Sequence, residues 1–473
     1  MLFAIFVVVF FSAQGVLTAP SRRKAAGQLY RAGHKIKLSR RSLHQAPPNM
    51  QHNNTSLFRS KEIMEELKIV EVKYQNAAKL ILDAGKNPTL PSGCTGLSTF
   101  SDEFLPSPNP SLTTPSEPSE ITESIEDIFE PVLRGSKTAI QPLKDFAANG
   151  IDLLYYGGIS FGTPAQELTV DIDTGSADLW VPVNCPRCAN NQFRPERSST
   201  YTNENKRFQI SYGSGDASGT LARDTVTVGS ATVSRQAFGA VNRLSHEWNM
   251  YPNDGLIGLA FSSISTSRQP TFFENLIMQK SVAAPLFSVH LARQQATGSE
   301  VCFGCVDQSK TTGSITWVPV TSRTYWTIAM SGFAVGEKTT EVEDVVAAID
   351  TGTTLIYLPN EVAIDFYDQI PGSQSLEDRF GSAAFYSYPC DSNVDVGFVF
   401  NGKVFHINSA DFNLGRVEEN SSDCVGGVLR MTGGFPNNLA IIGDEFLKSW
   451  YSVYDYSGTA RVGFAPSVNN KSR

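Results

Sequence analysis

The chain has 473 residues, of which 41% are hydrophobic and 18% are charged. This composition excludes a wholly disordered protein, and the length allows roughly two or three domain-sized cores. With 39 basic and 47 acidic residues the formal net charge is −8, so we expect no nucleic-acid partner, because such proteins carry a basic surface.

The first 19 residues have the composition of a secretory signal peptide. Residues 2–11 form an unbroken apolar run that is too short to cross a bilayer, and small or polar residues follow it. A buried strand is the alternative for this run. No later stretch is apolar for long enough to span a bilayer, so we expect no membrane contact once the signal is removed. The expected destination is extracellular, with the vacuole as the alternative.

Residues 20–141 are interpreted as a propeptide because their charge differs from that of the remaining chain. Residues 21–86 carry 14 basic and 5 acidic side chains, whereas residues 142–473 carry 23 basic and 34 acidic ones. A basic leader on an acidic body predicts electrostatic docking, and a solvated basic segment is the alternative. Within the leader, residues 57–83 place apolar side chains at helical spacing, and residues 87–136 form a connector rich in proline and serine that cannot bury a core.

From about Leu154 onward, short runs rich in Val, Ile, Thr and Phe alternate with Gly, Asn and Asp turns. This pattern predicts a mostly β protein with many short strands. Helices are expected in only a few places, such as residues 271–279 and 360–369.

One sequence feature of this region occurs twice. Residues 170–176 and 347–353 each form an apolar strand that ends in Asp-Thr-Gly and a hydroxyl residue. Each copy is followed downstream by two apolar residues and a glycine, at 256–258 and 441–443. A repeat with matched features at both ends predicts two similar lobes, which we place at residues 142–310 and 311–473.

The chemistry of the repeat lies in its two aspartates, Asp173 and Asp350. Glycine permits a tight turn, and the hydroxyl three residues after each Asp can orient its carboxylate. If the lobes pack about a pseudo-twofold axis, the carboxylates meet and share one proton, because like charges in contact cannot both ionise at moderate pH. Such a pair can deprotonate a bound water while it hydrogen-bonds a carbonyl, which is amide hydrolysis without a covalent intermediate, a metal or an organic cofactor.

The sequence resembles the pepsin family of aspartic endopeptidases, in particular its secreted fungal members. The resemblance covers about residues 154–466 and is carried by the two Asp-Thr-Gly turns and their apolar-apolar-Gly segments. The resemblance implies a mostly β, bilobal fold with pseudo-twofold-related lobes and a cleft between them. It implies that Asp173 and Asp350 are the catalytic pair and that the substrates are proteins and peptides with hydrophobic residues around the cut bond. The residues implied to join the turns or brace the carboxylates are Thr174, Gly175, Ser176, Thr351, Gly352, Thr353 and Trp180.

Residues 208–219 resemble the flap of the same family, a hairpin that folds over the cleft. The resemblance places Tyr212 over the substrate with its hydroxyl near Trp180, and an edge-strand aromatic is the alternative. Fungal relatives with acidic residues near the first turn and the flap can accept Lys just before the scissile bond. Asp171 and Asp216 therefore indicate the same tolerance here. The alternative is that both are solvated turn residues. The full set expected to bind substrate is Tyr212, Gly213, Ser214, Asp216, Asp171 and Leu256.

Residues 34–40 resemble the start of the family's inhibitory propeptide, in which a strand pairs with the body and basic groups neutralise the cleft. The resemblance implies a zymogen that is inhibited by its own propeptide, is released by acid and binds pepstatin-type inhibitors once open. Dibasic sites at 22–23 and 40–41 offer convertase cleavage as another route. We expect a monomer whose mature N-terminus lies between about Arg134 and Gly150.

Disulfides and glycans are the covalent modifications expected in a secreted chain. The resemblance implies the pairs Cys185–Cys188 and Cys390–Cys424, while Cys94 would be removed with the leader. The pairing of Cys302 and Cys305 stays open, because side chains three apart on a regular strand point to opposite faces. Two Cys-x-x-Cys pairs also raise a zinc site, but few His are nearby, so no metal is expected. The glycosylation sequons of the body begin at Asn420 and Asn470.

Other hydrolase classes are disfavoured, because the chain has no His-Glu-x-x-His motif and residues 142–473 contain only three His. The alternative from a different functional class is a pepsin-fold binding or inhibitor protein that has lost catalysis. Both acidic turns and Tyr212 are intact, which favours the enzyme.

Overall fold

The computed structural model describes residues 57–58, 60–75, 77, 79–81, 137–148, 150–212, 215–432 and 435–470. The predicted signal peptide, residues 34–40, Cys94, most of the proline-rich connector, Gly213 and Ser214 lie outside these ranges. All described residues belong to the compact unit Ala46–Arg473. None of the helices formed by the described residues is long and apolar enough to cross a bilayer.

Strands dominate the described part of the chain, which confirms the mostly β fold class. Strands one to twelve are β1 Ala139–Ala148, β2 Ile151–Phe161, β3 Gln166–Asp173, β4 Leu179–Pro182, β5 Thr202–Tyr212, β6 Gly215–Val228, β7 Ala231–Leu244, β8 Gly255–Gly258, β9 Leu286–His290, β10 Ser299–Phe303, β11 Thr316–Arg323 and β12 Trp326–Val335. The remaining strands are β13 Lys338–Ile349, β14 Ile356–Leu358, β15 Gln374–Ser375, β16 Tyr386–Pro389, β17 Val396–Phe400, β18 Lys403–Ile407, β19 Asn413–Arg416, β20 Asp423–Gly426, β21 Val428–Arg430, β22 Leu439–Ile442, β23 Trp450–Asp455 and β24 Arg461–Pro466. The alternation that predicted them is visible in β6, where Val226 and Val228 are buried and Thr225 and Thr227 are half-buried.

Helices are few and short, as the sequence predicted. The helices are α1 Ser60–Tyr74, α2 Phe272–Met278, α3 Asn360–Asp368, α4 Glu377–Phe380, α5 Ser409–Phe412 and α6 Asp444–Leu447. α2 begins with a capping box, in which the Thr271 hydroxyl accepts from the Glu274 N–H and the Glu274 carboxylate accepts from the Thr271 N–H.

The continuous part of the leader helix α1 ends at Tyr74, and residues 77 and 79–81 are also helical, so the described helical residues of the leader all lie within the predicted span 57–83. Its buried face consists of Ile63, Leu67, Val70 and Tyr74, which pack in one apolar cluster with residues of the body such as Leu429. The predicted stripe is therefore the docking face of the helix. Beyond Tyr74, Ala77 belongs to the same cluster and Leu80 and Ile81 pack against it. Lys73 Nζ and the Tyr74 hydroxyl contact polar groups of the body.

Two lobes with matching topology form around the repeated sequence, which confirms the bilobal architecture. In the first, β3 pairs in parallel with β8, and in the second, β13 pairs in parallel with β22. The two halves share a sheet of antiparallel strands in the order β1, β10, β9, β23, β24, β11. The first three strands belong to the first half and the last three to the second half. This shared sheet holds the two repeated turns against each other.

Three disulfides connect Cys185 with Cys188, Cys390 with Cys424 and Cys302 with Cys305. The last pair resolves the question that the sequence left open. Gly304 has a φ of +74°, so the chain leaves the strand after Phe303 and turns the Cys305 side chain back towards Cys302.

Candidate active site

Each acidic turn follows a strand whose end is fixed by its parallel partner. Asp173 is the last residue of β3 and lies opposite Gly258, while Asp350 directly follows β13 and its N–H donates to Ile442. Gly258 and Gly443 pack so tightly against the turns that a Cβ at either position would overlap their backbone. This close approach is the physical reason for the repeated apolar-apolar-Gly segments.

The two turns are joined by reciprocal hydrogen bonds. The Thr174 N–H donates to Thr351 Oγ1 at 3.1 Å, and the Thr351 N–H donates to Thr174 Oγ1 at 3.0 Å. Each hydroxyl in turn donates to a backbone carbonyl of the opposite lobe. A Cβ on Gly175 would overlap the Asp350 carboxylate, and one on Gly352 would overlap that of Asp173, so glycine is required for the turns to meet.

Both carboxylates are buried and held by their own turns. Asp173 Oδ1 accepts from the Gly175 N–H at 2.8 Å, and Asp350 Oδ1 accepts from the Gly352 N–H at 2.9 Å. The Thr353 hydroxyl donates to Asp350 Oδ2, whereas the buried Ser176 hydroxyl makes no hydrogen bond of ordinary geometry. The Ser176 hydroxyl still faces the Asp173 carboxylate and opposes the rise of its pKa, although its contact is weaker than that of Thr353 with Asp350.

A leader lysine lies between the two carboxylates. Lys73 Nζ is 2.8 Å from Asp173 Oδ1 and 2.8 Å from Asp350 Oδ2, so these two oxygens are at most 5.6 Å apart. The Tyr74 hydroxyl also donates to Asp350 Oδ2, at 2.9 Å. The last turn of α1 thus occupies the position from which a substrate would reach the pair.

The surroundings shift the pKa values of the two aspartates in opposite directions. Burial raises the pKa of Asp173 above its usual value, and the Lys73 ammonium opposes this only in part. Burial acts on Asp350 in the same direction, but the Lys73 ammonium and the Thr353 hydroxyl outweigh it and lower the pKa of Asp350. The pair with Lys73 bound therefore favours a negative charge on Asp350.

Tyr212, at the tip end of β5, contacts the aromatic residues beside the first turn. Trp180 Nε1 donates to the Tyr212 hydroxyl at 3.0 Å, which is the neighbourhood expected for a flap tyrosine. The Trp248 ring packs edge-on against both, with centroid distances of 5.1 Å to Trp180 and 5.3 Å to Tyr212. Trp248 was not predicted, because its contacts with the other two residues are long-range.

Between α1 and the first lobe lies a cavity of about 220 Å³. Of the residues expected to bind substrate, Asp171, Tyr212 and Leu256 line it. Asp171 is 6% exposed, its Oδ1 has no hydrogen-bond partner, and burial raises its pKa well above the usual value, with a further contribution from the Asp173 charge. The side chain of Asp216 is exposed and does not line the cavity, and its backbone N–H donates to Ser245 Oγ.

The residue that the sequence analysis missed is Lys73. Its signal was present, because Lys73 lies next to Tyr74 of the apolar face of a predicted helix, in a leader with a net positive charge. The basic residues 34–40 were instead expected to inhibit the cleft, and these lie outside the described residues.

Comparison with known proteins agrees with this geometry. The sequence profile of the eukaryotic aspartyl protease family matches residues 154–467, about two thirds of the chain. The chain belongs to this family. An aspartic protease of Phaffia rhodozyma is 39% identical over 324 residues, covering 67% of this chain and 78% of its own length. Major aspartyl peptidase 1 of Cryptococcus neoformans is 34% identical, with 68% and 70% covered, and mouse cathepsin E is 37% identical, with 68% and 82% covered.

Membership of the aspartyl protease family makes the protein an aspartic-type endopeptidase, as the sequence predicted. The matched range, 154–467, includes both acidic turns, Tyr212 and the two downstream glycines of the repeat. It begins after α1 and β1, so the leader helix itself lies outside the matched region.

Proposed function

We propose that the protein is the zymogen of a secreted, acid-active endopeptidase in which Asp173 and Asp350 are the catalytic pair. The observation that carries this proposal is the single cation, Lys73, held at equal distance from both carboxylates. A site that binds one ammonium between two carboxylates has the geometry to hold a water molecule in the same place once the helix has left.

The two carboxyl groups then share one proton, because their charges repel at this distance. The ionised carboxylate takes a proton from the water as its oxygen attacks the peptide carbonyl. The protonated carboxyl donates its proton to the carbonyl oxygen, which gives a neutral tetrahedral intermediate. Its collapse breaks the C–N bond as the amine nitrogen takes a proton from the carboxyl that received one from the water, while a hydroxyl of the intermediate gives its proton to the other carboxylate. The products are a carboxylic acid and an amine, and the pair again holds one proton. The flap with Tyr212 excludes bulk water from the closed site.

The leader inhibits this site through α1, which fills the cleft and neutralises the pair. The contribution of Asp350 to docking has a definite pH dependence. Because Lys73 lowers the pKa of Asp350, this contribution is complete above the usual Asp range and is lost as the pH falls and Asp350 is protonated. Acid therefore releases the leader and opens the site.

Maturation cleavage is proposed to occur before Lys137. The predicted boundary at residues 141/142 lies inside β1, where Ala139 and Leu143 are buried and pair with β10. The carbonyl of Lys137 also accepts from the Ala283 N–H at 2.8 Å. Cleavage within this strand would remove a member of the sheet that joins the two halves.

Substrate preference is proposed to be mainly hydrophobic, with Lys accepted before the cut bond. The cavity beside the pair is lined largely by apolar side chains, Leu154 and Leu256 among them. The buried carboxylate of Asp171, whose Oδ1 has no hydrogen-bond partner, is the group that would receive a Lys ammonium. Asp216 is exposed and does not line this cavity.

Secretion as a monomer and glycosylation at Asn420 complete the proposal. Asn420 is exposed, so its side chain is accessible to a transferase. Asn470 is a poorer acceptor, because its Nδ2 already donates to the Ser449 carbonyl at 2.6 Å. Pepstatin-type inhibitors would bind the opened cleft.

The test is digestion of denatured haemoglobin at pH 3–4 by the purified full chain after acid treatment. We expect cleavage that pepstatin blocks and that Asp173→Asn and Asp350→Asn each abolish, while Asp216→Asn retains it. Acid-dependent cleavage that persists in both aspartate variants would contradict the assignment. Tight peptide binding without any cleavage would instead support the alternative of an inactive binding protein.

A further inference from the structure

A second polar contact anchors the leader helix to the body, two turns before Lys73. Glu66 Oε1 accepts hydrogen bonds from the backbone N–H groups of Thr354 and Leu355, at 2.9 and 3.1 Å. These two residues directly follow the second acidic turn. Glu66 and Lys73 are seven residues apart, so they lie on the same side of α1, about 10 Å apart along its axis.

The Glu66 carboxyl is buried without a counter-charge. Its Oε2 is inaccessible to solvent and has no hydrogen-bond partner, and no ion pair forms on Glu66 in the described part of the chain. The Tyr357 hydroxyl of β14 and the Thr354 hydroxyl face it from the body. The titratable groups that share the adjoining cavity are Glu65, Lys73, Asp171, Asp173, Tyr212 and Tyr251.

An ionised carboxylate in such a place is unfavourable, because the two N–H donors and the nearby Tyr357 and Thr354 hydroxyls replace only part of its hydration. Lys73, the only cation among the described residues that line the adjoining cavity, is already bound by Asp173 and Asp350. The neutral carboxyl keeps both hydrogen bonds through its carbonyl oxygen and avoids the cost of burying the charge. Burial accordingly raises the pKa of Glu66 to about 7.

We propose that the N–H pair of Thr354 and Leu355 is a second docking site for the leader, that it receives the neutral carboxyl of Glu66, and that docking takes up a proton there. This inference rests on the proposed zymogen. The pH dependence of the Glu66 contact is opposite in sign to that of the Lys73 contact. Undocked Glu66 has an ordinary pKa near 4.5, so the docked form binds more protons between pH 4.5 and 7 and docking weakens as the pH rises through this window.

The two contacts together give docking a maximum in mild acid. Above about pH 7 the Glu66 contact requires the burial of a charge, and at strongly acidic pH the Lys73 contact loses its ionised Asp350 partner. Glu66 thus keeps the leader in place while the surroundings acidify from neutrality. Release then waits for protonation of the aspartate pair.

The test is hydrogen exchange of the α1 amides in the full chain between pH 5.5 and 8, corrected for intrinsic exchange rates. The opening equilibrium constant of the wild-type helix should increase roughly thirtyfold over this range, as expected for a group whose pKa rises from 4.5 to about 7. In Glu66→Gln, which is neutral at every pH, this roughly thirtyfold contribution should be lost and only the dependence due to other groups should remain. The control Glu65→Gln, an exposed neighbour on the same helix, should keep the wild-type slope.

Titration of Asp171 and Asp173 affects all three proteins alike, so the difference between the wild type and Glu66→Gln isolates Glu66. Glu66→Ala supplies a second comparison: it has no acceptor oxygen for the two N–H groups, so its protection should be weaker, and it should likewise lack the Glu66 contribution. Parallel profiles for the wild type and Glu66→Gln would overturn the proposal. Hydrogen exchange does not depend on catalysis. If Glu66→Gln loses the Glu66 contribution but the protein cleaves no peptide, only the proposed activity is refuted. If α1 is unprotected at every pH, docking itself is refuted.

Discussion

The Tyr74 hydroxyl donates to Oδ2 of Asp350, the same oxygen that lies 2.8 Å from the Lys73 ammonium. Two consecutive leader residues therefore engage one carboxylate, while Asp173 receives only the ammonium. Tyr74 is held in this position by the ring of Tyr325, whose centroid is 4.9 Å away. This asymmetry is consistent with the opposite pKa shifts of Asp350 and Asp173.

Replacement of Lys73 by Met should weaken inhibition by the leader. Loss of one partner from a buried ion contact leaves uncompensated carboxylates and costs about 3–5 kcal/mol. The onset of peptide cleavage in an acid titration of the full chain should therefore move to higher pH. Tyr74→Phe should move it in the same direction by less, since a single hydrogen bond contributes about 0.5–1.5 kcal/mol.

Lys68→Met is the matched control, because Lys68 lies on the exposed side of the same helix. Its onset of cleavage should equal that of the wild type. An unchanged onset in Lys73→Met would show that the apolar face of α1 alone closes the cleft.

Asp171→Leu should remove cleavage after Lys and retain cleavage after large hydrophobic residues. The variant deletes the buried carboxylate that would pair with the substrate ammonium, and loss of such a partner costs about 2–5 kcal/mol. We expect kcat/KM for a peptide with Lys before the cut bond to fall by more than about tenfold, as measured against its Leu analogue. Asp216→Asn should leave both values unchanged, and equal losses for both peptides in Asp171→Leu would assign Asp171 a purely structural role.

Stability of the fold should decrease as the pH rises from about 4 to 9. Burial and the neighbouring Asp152 raise the pKa of Asp145 to about 9, and burial raises that of Glu445 to about 8, although the Lys448 ammonium opposes both. Because the folded state then binds more protons than the unfolded state, the free energy of unfolding falls across this window. Asp145→Asn, neutral at every pH, should flatten the dependence of Tm on pH. The exposed Asp365→Asn is the control, and identical Tm profiles for the wild type and Asp145→Asn would exclude Asp145 as a cause.

The disulfides should differ in their contribution to stability. Cys390–Cys424 closes a loop with a sequence separation of 34, and Cys302–Cys305 one of 3. Loop-closure entropy then predicts losses of about 4 and about 2 kcal/mol when each pair is replaced by Ala. Thermal or denaturant unfolding of the two double variants measures this order. The reverse order would indicate that Cys302–Cys305 has a further role in holding the start of β1, which pairs with β10.

The strands, the short helices α2 and α3 and the two acidic turns were predicted correctly, because their signals are local. Alternation along β6 and the capping pair of Thr271 and Glu274 are readable within a few residues. The pairing of Cys302 with Cys305 was left open, since it depends on backbone geometry that tertiary contacts decide. Asp171 and Asp216 look alike in sequence, yet only Asp171 is buried.

By itself the sequence determined the fold class, the family and the identity of the two aspartates, because repetition and strand periodicity are properties of the chain order alone. Only the tertiary structure decided what occupies the space between those aspartates and which body groups bind Glu66. Lys73 is 100 residues from Asp173 and 277 from Asp350, and no local pattern encodes a meeting over such separations. It results from the joint packing of both lobes and the apolar face of α1, which together exclude water and so make single polar contacts decisive.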